Sequence, residues 1–365
     1  MAQRIILHLD CDYFFAQCEE LRNPALKGKP VVVCVYSGRT TDSGAVGTTN
    51  YEARKFGIHS GLPIAFAKKK ASPETVFLPV DIPFYSGISK KIFDTALSFS
   101  PDFEKTSIDE AFLDITEQSG GNYANAKKLA IDLKEKIRNE TGITVSVGIG
   151  PNKLVAKIAS GYQKPDGLTV VEKENVTKFL FPLKVSEIPG VGGKTAKVLE
   201  EQGVKTIEGL SGLSLEKLVE IFGKSKGKFL HDASLGIDER EIVLEREKKR
   251  LSVIRTLKQD AKNAQEMDGF IQNLSKELHS KARLEQVFFK TVFIIAIDSH
   301  LEMFSRAKTL EAPSDSLEEI ETEAKKLFAE FFQAKNGILL RRAGVGVTNF
   351  SREKQPINQR MLSDF

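Results

Sequence analysis

Three carboxylates set against apolar, strand-like runs are the residues of this sequence best suited to chemistry. Asp10 ends the run IILHL, and Asp109 and Glu110 precede the run AFL inside SIDEAFLDI. A charge pressed against an apolar strand is costly unless it is paired or metal-bound. Hard divalent cations such as Mg²⁺ take carboxylate oxygens and keep several waters. Two such ions about 3.5–4 Å apart can activate one oxygen and stabilise another as it leaves. Carboxylates converging from neighbouring strands would build that site, although an acidic pair alone can equally be a solvated structural feature. Asp12 fits the N-cap of a following helix, and Asp114, inside a strand, reads as structural.

The elements that must position these groups follow from periodicity. Ile5–Leu9 is a short buried strand, followed by a helix over Tyr13–Leu21. Pro30–Val35 is a second strand, Thr49–Phe56 a helix ending at Gly57, and 82–98 an amphipathic helix. Strands at Ala111–Ile115 and Thr144–Ile149 flank a helix over 123–140 that Gly142 ends. A helix over Lys153–Ser160 stops at Gly161. Single strands between helices predict an α/β or α+β catalytic domain. Residues 175–233 read as short helices, and the charged stretch Ile237–Lys249 as an exposed linker. A β-α-β-β-α-β order follows, with strands at 252–256, 287–297, 305–309 and 339–347 and helices at 263–281 and 315–335, a ferredoxin-like arrangement. The last residues, 351–365, read as a disordered polar tail.

Composition bounds the function classes. The chain has 365 residues, enough for two or three domains, with 41% hydrophobic and 28% charged residues as in soluble proteins. The net charge of +4 is too small to argue for nucleic acid without local clustering. Cys11, Cys18 and Cys34 form no CxxC pair and read as reduced thiols of a cytoplasmic protein. No signal peptide or membrane span is expected. A basic cluster, Arg246, Lys248, Lys249, Arg250 and Arg255, leads into the first C-terminal strand, and Arg341 and Arg342 start the last. If those strands are neighbours, the cluster could track a DNA backbone without reading sequence; a solubilising face is the alternative. The segment IPGVGGKTA at 188–196 looks like a helix–hairpin–helix turn, with Gly190, Gly192 and Lys194 placed to meet a phosphate. It does not satisfy the P-loop pattern.

DCDYFFAQCEE (10–20), KGKPVVV (27–33), NYEARKFGI (50–58), SIDEAFLDI (107–115), VSVGIGPNKLVAKIAS (145–160) and KPDGL (164–168) occur in that order. Together they resemble the Y-family, DinB-type translesion DNA polymerases, the archaeal branch in particular, over the whole chain. The resemblance implies an α+β right-hand polymerase. Its ferredoxin-like palm would take 1–10 and 78–165, small fingers 11–77, and a helical thumb 166–233. A linker at 234–245, a β-α-β-β-α-β little finger at 246–350 and a tail at 351–365 would follow.

The resemblance also implies roles. Asp10, Asp109, Glu110 and the backbone carbonyl of Cys11 would hold two Mg²⁺ ions, one activating the primer hydroxyl and the other holding the triphosphate. Tyr51, Arg54 and Lys164, helped by Tyr13, Thr48 and the backbone of Phe14, would hold the nucleotide. Phe15 would be the steric gate against ribonucleotides. Val35, Ala45 and Gly61 would roof the nascent base pair, and their small size implies tolerance of damage, low fidelity and a mutator character. No region is left for proofreading. Gln359, Leu362 and Phe365 resemble a sliding-clamp-binding motif that lacks its second aromatic. The expected partners are primer–template DNA, deoxynucleoside triphosphates and a sliding clamp, for a cytoplasmic monomer. The alternatives are another two-metal enzyme on a similar palm, such as a nucleotide cyclase, and a DNA-binding protein without activity. The first would need neither the hairpin turn nor the basic C-terminal domain, and the intact carboxylates speak against the second.

Overall fold

The computed structural model describes residues 3–244 and 247–351. Arg246 and the expected tail, with Gln359, Leu362 and Phe365, lie outside the described residues. The described chain forms two units: 3–34, 46–62 and 66–244 in the first, and 35–45, 63–65 and 247–351 in the second. No helix among the described residues is long and apolar enough to cross a membrane.

The chain runs β1 (Ile6–Cys11), α1 (Phe14–Arg22), β2 (Val31–Tyr36), β3 (Gly44–Thr49), α2 (Tyr51–Arg54), α3 (Ile64–Lys70), β4 (Val76–Pro79) and α4 (Ile82–Leu97). It continues through β5 (Phe103–Lys105), β6 (Glu110–Asp114), α5 (Tyr123–Thr141), β7 (Val145–Gly150), α6 (Lys153–Tyr162) and β8 (Leu168–Val170). Helices α7 (Val176–Leu180), α8 (Gly193–Glu201), α9 (Ile207–Ser211), α10 (Leu215–Phe222) and α11 (Lys224–Ser234) follow. Then come β9 (Arg250–Ala261), α12 (Asp268–Leu284), β10 (Phe288–Asp298), β11 (Met303–Ser314), α13 (Leu317–Ala334) and β12 (Leu340–Ser351).

A five-stranded sheet in the order β5-β6-β1-β7-β8 centres the first unit. The unbroken apolar run of β1 follows from its central place: Leu7 and Leu9 pack into one core cluster and Ile6 into another. His8, also fully buried, meets Ser160 Oγ of α6 through Nδ1 at 2.8 Å. Burial, with Lys157 and Lys164 nearby, holds its ring well below the usual imidazole pKa. Helix α6 lies directly on β7 because residue 148 has no side chain: a Cβ there would come within 2.1 Å of the Ala156 carbonyl oxygen. The short helices of 176–234 pack around Leu180, Leu199, Leu210 and Leu218 in one cluster with Leu154, Val155 and Ile158 of α6.

The second unit has the expected β-α-β-β-α-β order over 250–351. Its sheet runs β11-β10-β12-β9, so the first and last strands are neighbours. Helices α12 and α13 contribute Ile271, Leu274, Leu278, Ile320, Leu327 and Phe328 to its core.

Several local expectations need correction. The helix expected over Thr49–Phe56 is the end of β3 followed by the four residues of α2, whose N-cap is Asn50 accepting from Ala53 N–H. Helix α6 runs through Gly161 to Tyr162, since one exposed glycine weakens a helix without ending it. The C-terminal helix expected from 263 begins at Asp268, after a 3₁₀ turn at Gln265–Met267. Asp12 caps nothing: α1 starts after Tyr13, whose backbone is left-handed at φ 34°. The charged stretch after Ile237 has exposed side chains in part, yet it is fastened to the first unit by backbone and side-chain hydrogen bonds. Asn152 Nδ2 donates to the Gly236 carbonyl at 2.7 Å, and Leu154 N–H to Asp238 Oδ2 at 3.0 Å. Val243 N–H donates to Glu104 Oε2 at 2.9 Å. Charge density predicted solvent exposure, and could not show that buried Glu104 would reach the chain from below.

Candidate active site

Two of the three carboxylates are brought face to face by sheet register: Asp10 on β1 pairs across from Glu110 on β6. Cys11 N–H donates to the Asp109 carbonyl at 2.9 Å, which draws Asp109 to the same end of the sheet. Ser107 organises the turn before β6. Its hydroxyl donates to Asp109 Oδ1 at 2.5 Å and accepts from the Glu110 N–H at 3.0 Å. Burial pushes the Asp10 carboxyl up to about 6; the ion pair with Lys164 opposes this, and the charges of Glu110 and Asp109 add to it. Lys157 Nζ sits 2.6 Å from Glu110 Oε2.

Among the described residues, no three acidic, histidine or cysteine side chains stand close enough to form a ready cation cage. The donor set nevertheless suits Mg²⁺. Three carboxylates and a carbonyl are hard oxygen donors, and the burial that raises the Asp10 pKa despite the Lys164 ion pair is a cost that a bound cation would offset.

Asp12 is fully buried beside them. Its Oδ1 accepts from Ser146 Oγ at 2.7 Å; its Oδ2 accepts from Thr144 Oγ1 at 3.0 Å and from Asp166 N–H at 2.8 Å. It thereby ties the loop that carries Lys164 to β7.

The candidate nucleotide residues lie near this end of the sheet. Tyr51 and Tyr13 meet edge to face with centroids 5.4 Å apart, and the Arg54 guanidinium lies over the Tyr51 ring at 4.5 Å. The Tyr51 hydroxyl is buried and has no hydrogen-bond partner among the described residues. The Tyr13 hydroxyl donates to Glu20 Oε2 at 3.3 Å. Phe14 is buried, and half-buried Phe15 stacks on Tyr85 at 4.6 Å and 17°. The Tyr85 hydroxyl is fixed by Glu19 Oε1 at 2.7 Å. Thr48 is half-buried on β3.

Two cavities gather residues that are distant in sequence. An open cavity of about 430 Å³ is lined by Asp10, Glu110, Lys157 and the Ser186–Gly192 turn. Gly190 there has φ +91°, a conformation that favours glycine, and Gly192 is the N-cap of α8. Lys194 falls in the first turn of that helix. In the second unit, a cavity of about 800 Å³ is lined by Val35, Ala45, Arg255, Arg341 and Arg342. Gly61 belongs to the first unit, with φ +84° and open space where a side chain would stand.

Several of the basic candidates are already paired. Arg255 holds Glu277 at 2.7 and 2.8 Å, Arg341 holds Asp260 at 3.2 Å, and Lys248 pairs with Glu285. Arg250 lies over the Phe293 ring at 4.7 Å, while Lys249 and Arg342 are exposed.

Ser107, Lys157 and the tethering role of Asp12 are what sequence reasoning missed. Ser107 and Lys157 lie inside the motifs SIDEAFLDI and VSVGIGPNKLVAKIAS, without a signal that separates them from their neighbours.

The impB/mucB/samB family model matches residues 9–161, and that family's C-terminal domain model matches 248–362. The model described as the DNA polymerase-iota thumb domain matches 186–238. DNA polymerase IV of Nitrosopumilus maritimus is 43% identical, over 97% of this chain and 98% of that protein. DNA polymerase IV of Saccharolobus solfataricus is 38% identical, over 95% and 96%. The solved structure titled "Y-family DNA polymerase chimera Dbh-Dpo4(243-245)-Dbh" is similar with a TM-score of 0.89 at 34% identity, covering 96% of this chain and all of that one. The structure titled "Insertion ternary complex of Dbh DNA polymerase" matches at the same identity and coverage with a TM-score of 0.68. With relatives this similar along nearly its whole length, the chain belongs to the DinB-type Y family of DNA polymerases.

Proposed function

We propose that this Y-family polymerase extends a primer across damaged template by nucleotidyl transfer assisted by two divalent cations, with low fidelity and no proofreading. In the reaction the primer 3′ oxygen bonds to the α-phosphorus of a deoxynucleoside triphosphate, and the bond to pyrophosphate breaks. Asp10, Asp109, Glu110 and the Cys11 carbonyl would hold two Mg²⁺ ions, which acidify the primer hydroxyl and neutralise the triphosphate when bound.

The protein's own groups do the positioning. Tyr51 offers its unpartnered hydroxyl, and Arg54, already stacked on that ring, grips phosphate through two N–H groups. Lys164 adds a compact charge beside Asp10. Tyr13, Thr48 and the Phe14 backbone complete the triphosphate site. Phe15, backed by Tyr85, stands under the sugar and excludes a 2′-hydroxyl. Val35, Ala45 and Gly61 cover the nascent pair with little bulk, so damaged bases are admitted and pair shape is poorly tested. Gly190, Gly192 and Lys194 would take a backbone phosphate at the start of α8. Arg246, Lys248, Lys249, Arg250, Arg255, Arg341 and Arg342 would follow the duplex backbone. Gln359, Leu362 and Phe365 would tether the enzyme to a sliding clamp and raise its concentration at the primer end. The enzyme would act as a cytoplasmic monomer.

The observation that carries this reading is the cavity in which Asp10 and Glu110 face the Ser186–Gly192 turn, because a primer end must reach carboxylates and a phosphate-binding turn together. Primer extension on undamaged and abasic templates with Mg²⁺, beside an Asp109→Ala/Glu110→Ala control, tests it. Extension on both that vanishes in the control is expected. DNA binding without extension by the wild type would refute it.

A further inference from the structure

Two lysines hold the paired carboxylates, and only Lys164 has a place in the proposed nucleotide site. Lys157 stands one helical turn after Lys153 on α6, and the two differ sharply. Lys153 is sealed against Glu104 at 2.5 Å, with side-chain exposures of 3% and 1%. Lys157 reaches Glu110 at 2.6 Å with exposures of 30% and 26%, and it lines the open cavity beside the Ser186–Gly192 turn. A buried pair such as the first is a fixed element of structure. A part-exposed pair is weak and exchangeable.

An ammonium on Glu110 occupies an oxygen that a divalent cation would need. For that oxygen to be released, the ammonium needs another anion within reach, and the cavity it lines is where one can arrive. On the proposed function, that anion is the last phosphodiester of the primer, lying between the carboxylates and the Gly190–Gly192 turn. We propose that Lys157 is a displaceable positioning residue: it closes Glu110 in the free protein and transfers its ammonium to the terminal primer phosphodiester when DNA binds, opening Glu110 to a divalent cation. This rests on the polymerase reading of the cavity. Linkage then requires DNA and divalent cation to bind with positive coupling that passes through Lys157.

The test is Mn²⁺ binding, followed by the electron paramagnetic resonance of unbound Mn²⁺, on the full chain. It is measured free and with a primer–template ending in a dideoxynucleotide, for wild type, Lys157→Met, Lys157→Gln and Lys157→Arg. The free Met and Gln variants should bind Mn²⁺ about threefold tighter than wild type. Added DNA should tighten Mn²⁺ binding less in them than in wild type, and Lys157→Arg should behave as wild type. If either neutral variant melts like wild type yet binds Mn²⁺ no tighter when free, the exchange is refuted. The same holds if it keeps the full DNA-dependent gain. Primer extension by the wild type separates the two levels. Extension without Lys157-dependent coupling overturns the exchange alone, whereas absence of extension overturns the polymerase reading beneath it.

Discussion

Replacing Asp12 by alanine tests whether this residue holds the Lys164 loop. Its carboxylate accepts from Ser146 Oγ, Thr144 Oγ1 and Asp166 N–H at 2.7, 3.0 and 2.8 Å, and it is fully buried. Thr144 keeps a second acceptor, Gln17 Oε1 at 3.2 Å, so the alanine leaves one buried donor, the Ser146 hydroxyl, without its partner and removes the bond from the exposed Asp166 N–H. At about 1–3 kcal/mol for the first and about 0.5–1.5 kcal/mol for the second, the first unit loses about 1.5–4.5 kcal/mol. For a unit of this size that lowers its melting transition by about 3–18 °C. The functional effect follows from chain distance, because Asp166 is two residues from Lys164. Release of that loop should raise KM for the incoming nucleotide about tenfold or more, since small displacements of positioning groups are expensive. Asp12→Asn should lose only about 1–2 kcal/mol, because an amide with its oxygen toward Asp166 can still donate to Ser146. Differential scanning calorimetry and single-nucleotide insertion kinetics, measured below both melting transitions, read the two effects. A helix cap would behave differently: alanine would cost about 1 kcal/mol and nucleotide KM would not move. That pair of results would refute the tethering argument.

Phe15→Ala should incorporate ribonucleotides readily in insertion assays; unchanged sugar selection would remove Phe15 from the gate. Glu104→Leu should lower first-unit stability by about 3–5 kcal/mol in urea unfolding, because Lys153 stays buried and Val243 N–H loses its acceptor. A loss below about 1 kcal/mol would contradict this. DNA binding should weaken steeply between low and physiological salt, and Arg342→Ala should reduce the logarithmic salt slope by about one; a flat response would count against that surface. Deleting 359–365 should abolish stimulation by a sliding clamp while sparing basal synthesis, and retained stimulation would exclude the tail as the tether.

Legibility followed the range of the interaction that decides each feature. Helices α4 and α5 were readable because their amphipathic period is local, and Gly142 takes the left-handed C-cap its position predicted. The β-α-β-β-α-β order of the second unit was readable for the same reason. Strand β3, GAVGTT, carries little bulk and is half-buried along most of its length, so its pattern announces no strand; pairing with β2 makes it one. Asp10 and Glu110 were detectable because each breaks an apolar run. Their ion pairs were not: Lys164 was expected only at the nucleotide and Lys157 not at all, because the pairs span 154 and 47 residues and are set by how α6 and the 164–167 loop pack on the sheet.

Asp12 shows how a sound local rule fails. An Asp between an apolar strand and a helix is a good N-cap candidate, and the prediction required only that α1 begin at residue 13. The strand instead runs on to Cys11, and Tyr13 takes a left-handed backbone before the helix starts. A left-handed, non-glycine residue is disfavoured by about 1–2 kcal/mol, so something must repay it. Asp12 does so in part, since the turn at Tyr13 leaves its carboxylate free to collect three donors from β7, the residue before it and the Lys164 loop. The same turn sets Tyr13 edge-on to Tyr51. Local propensity therefore lost to a tertiary network at the segment where the candidate metal and nucleotide residues meet, which is where a sequence that must hold a reacting geometry has reason to depart from the locally favoured choice.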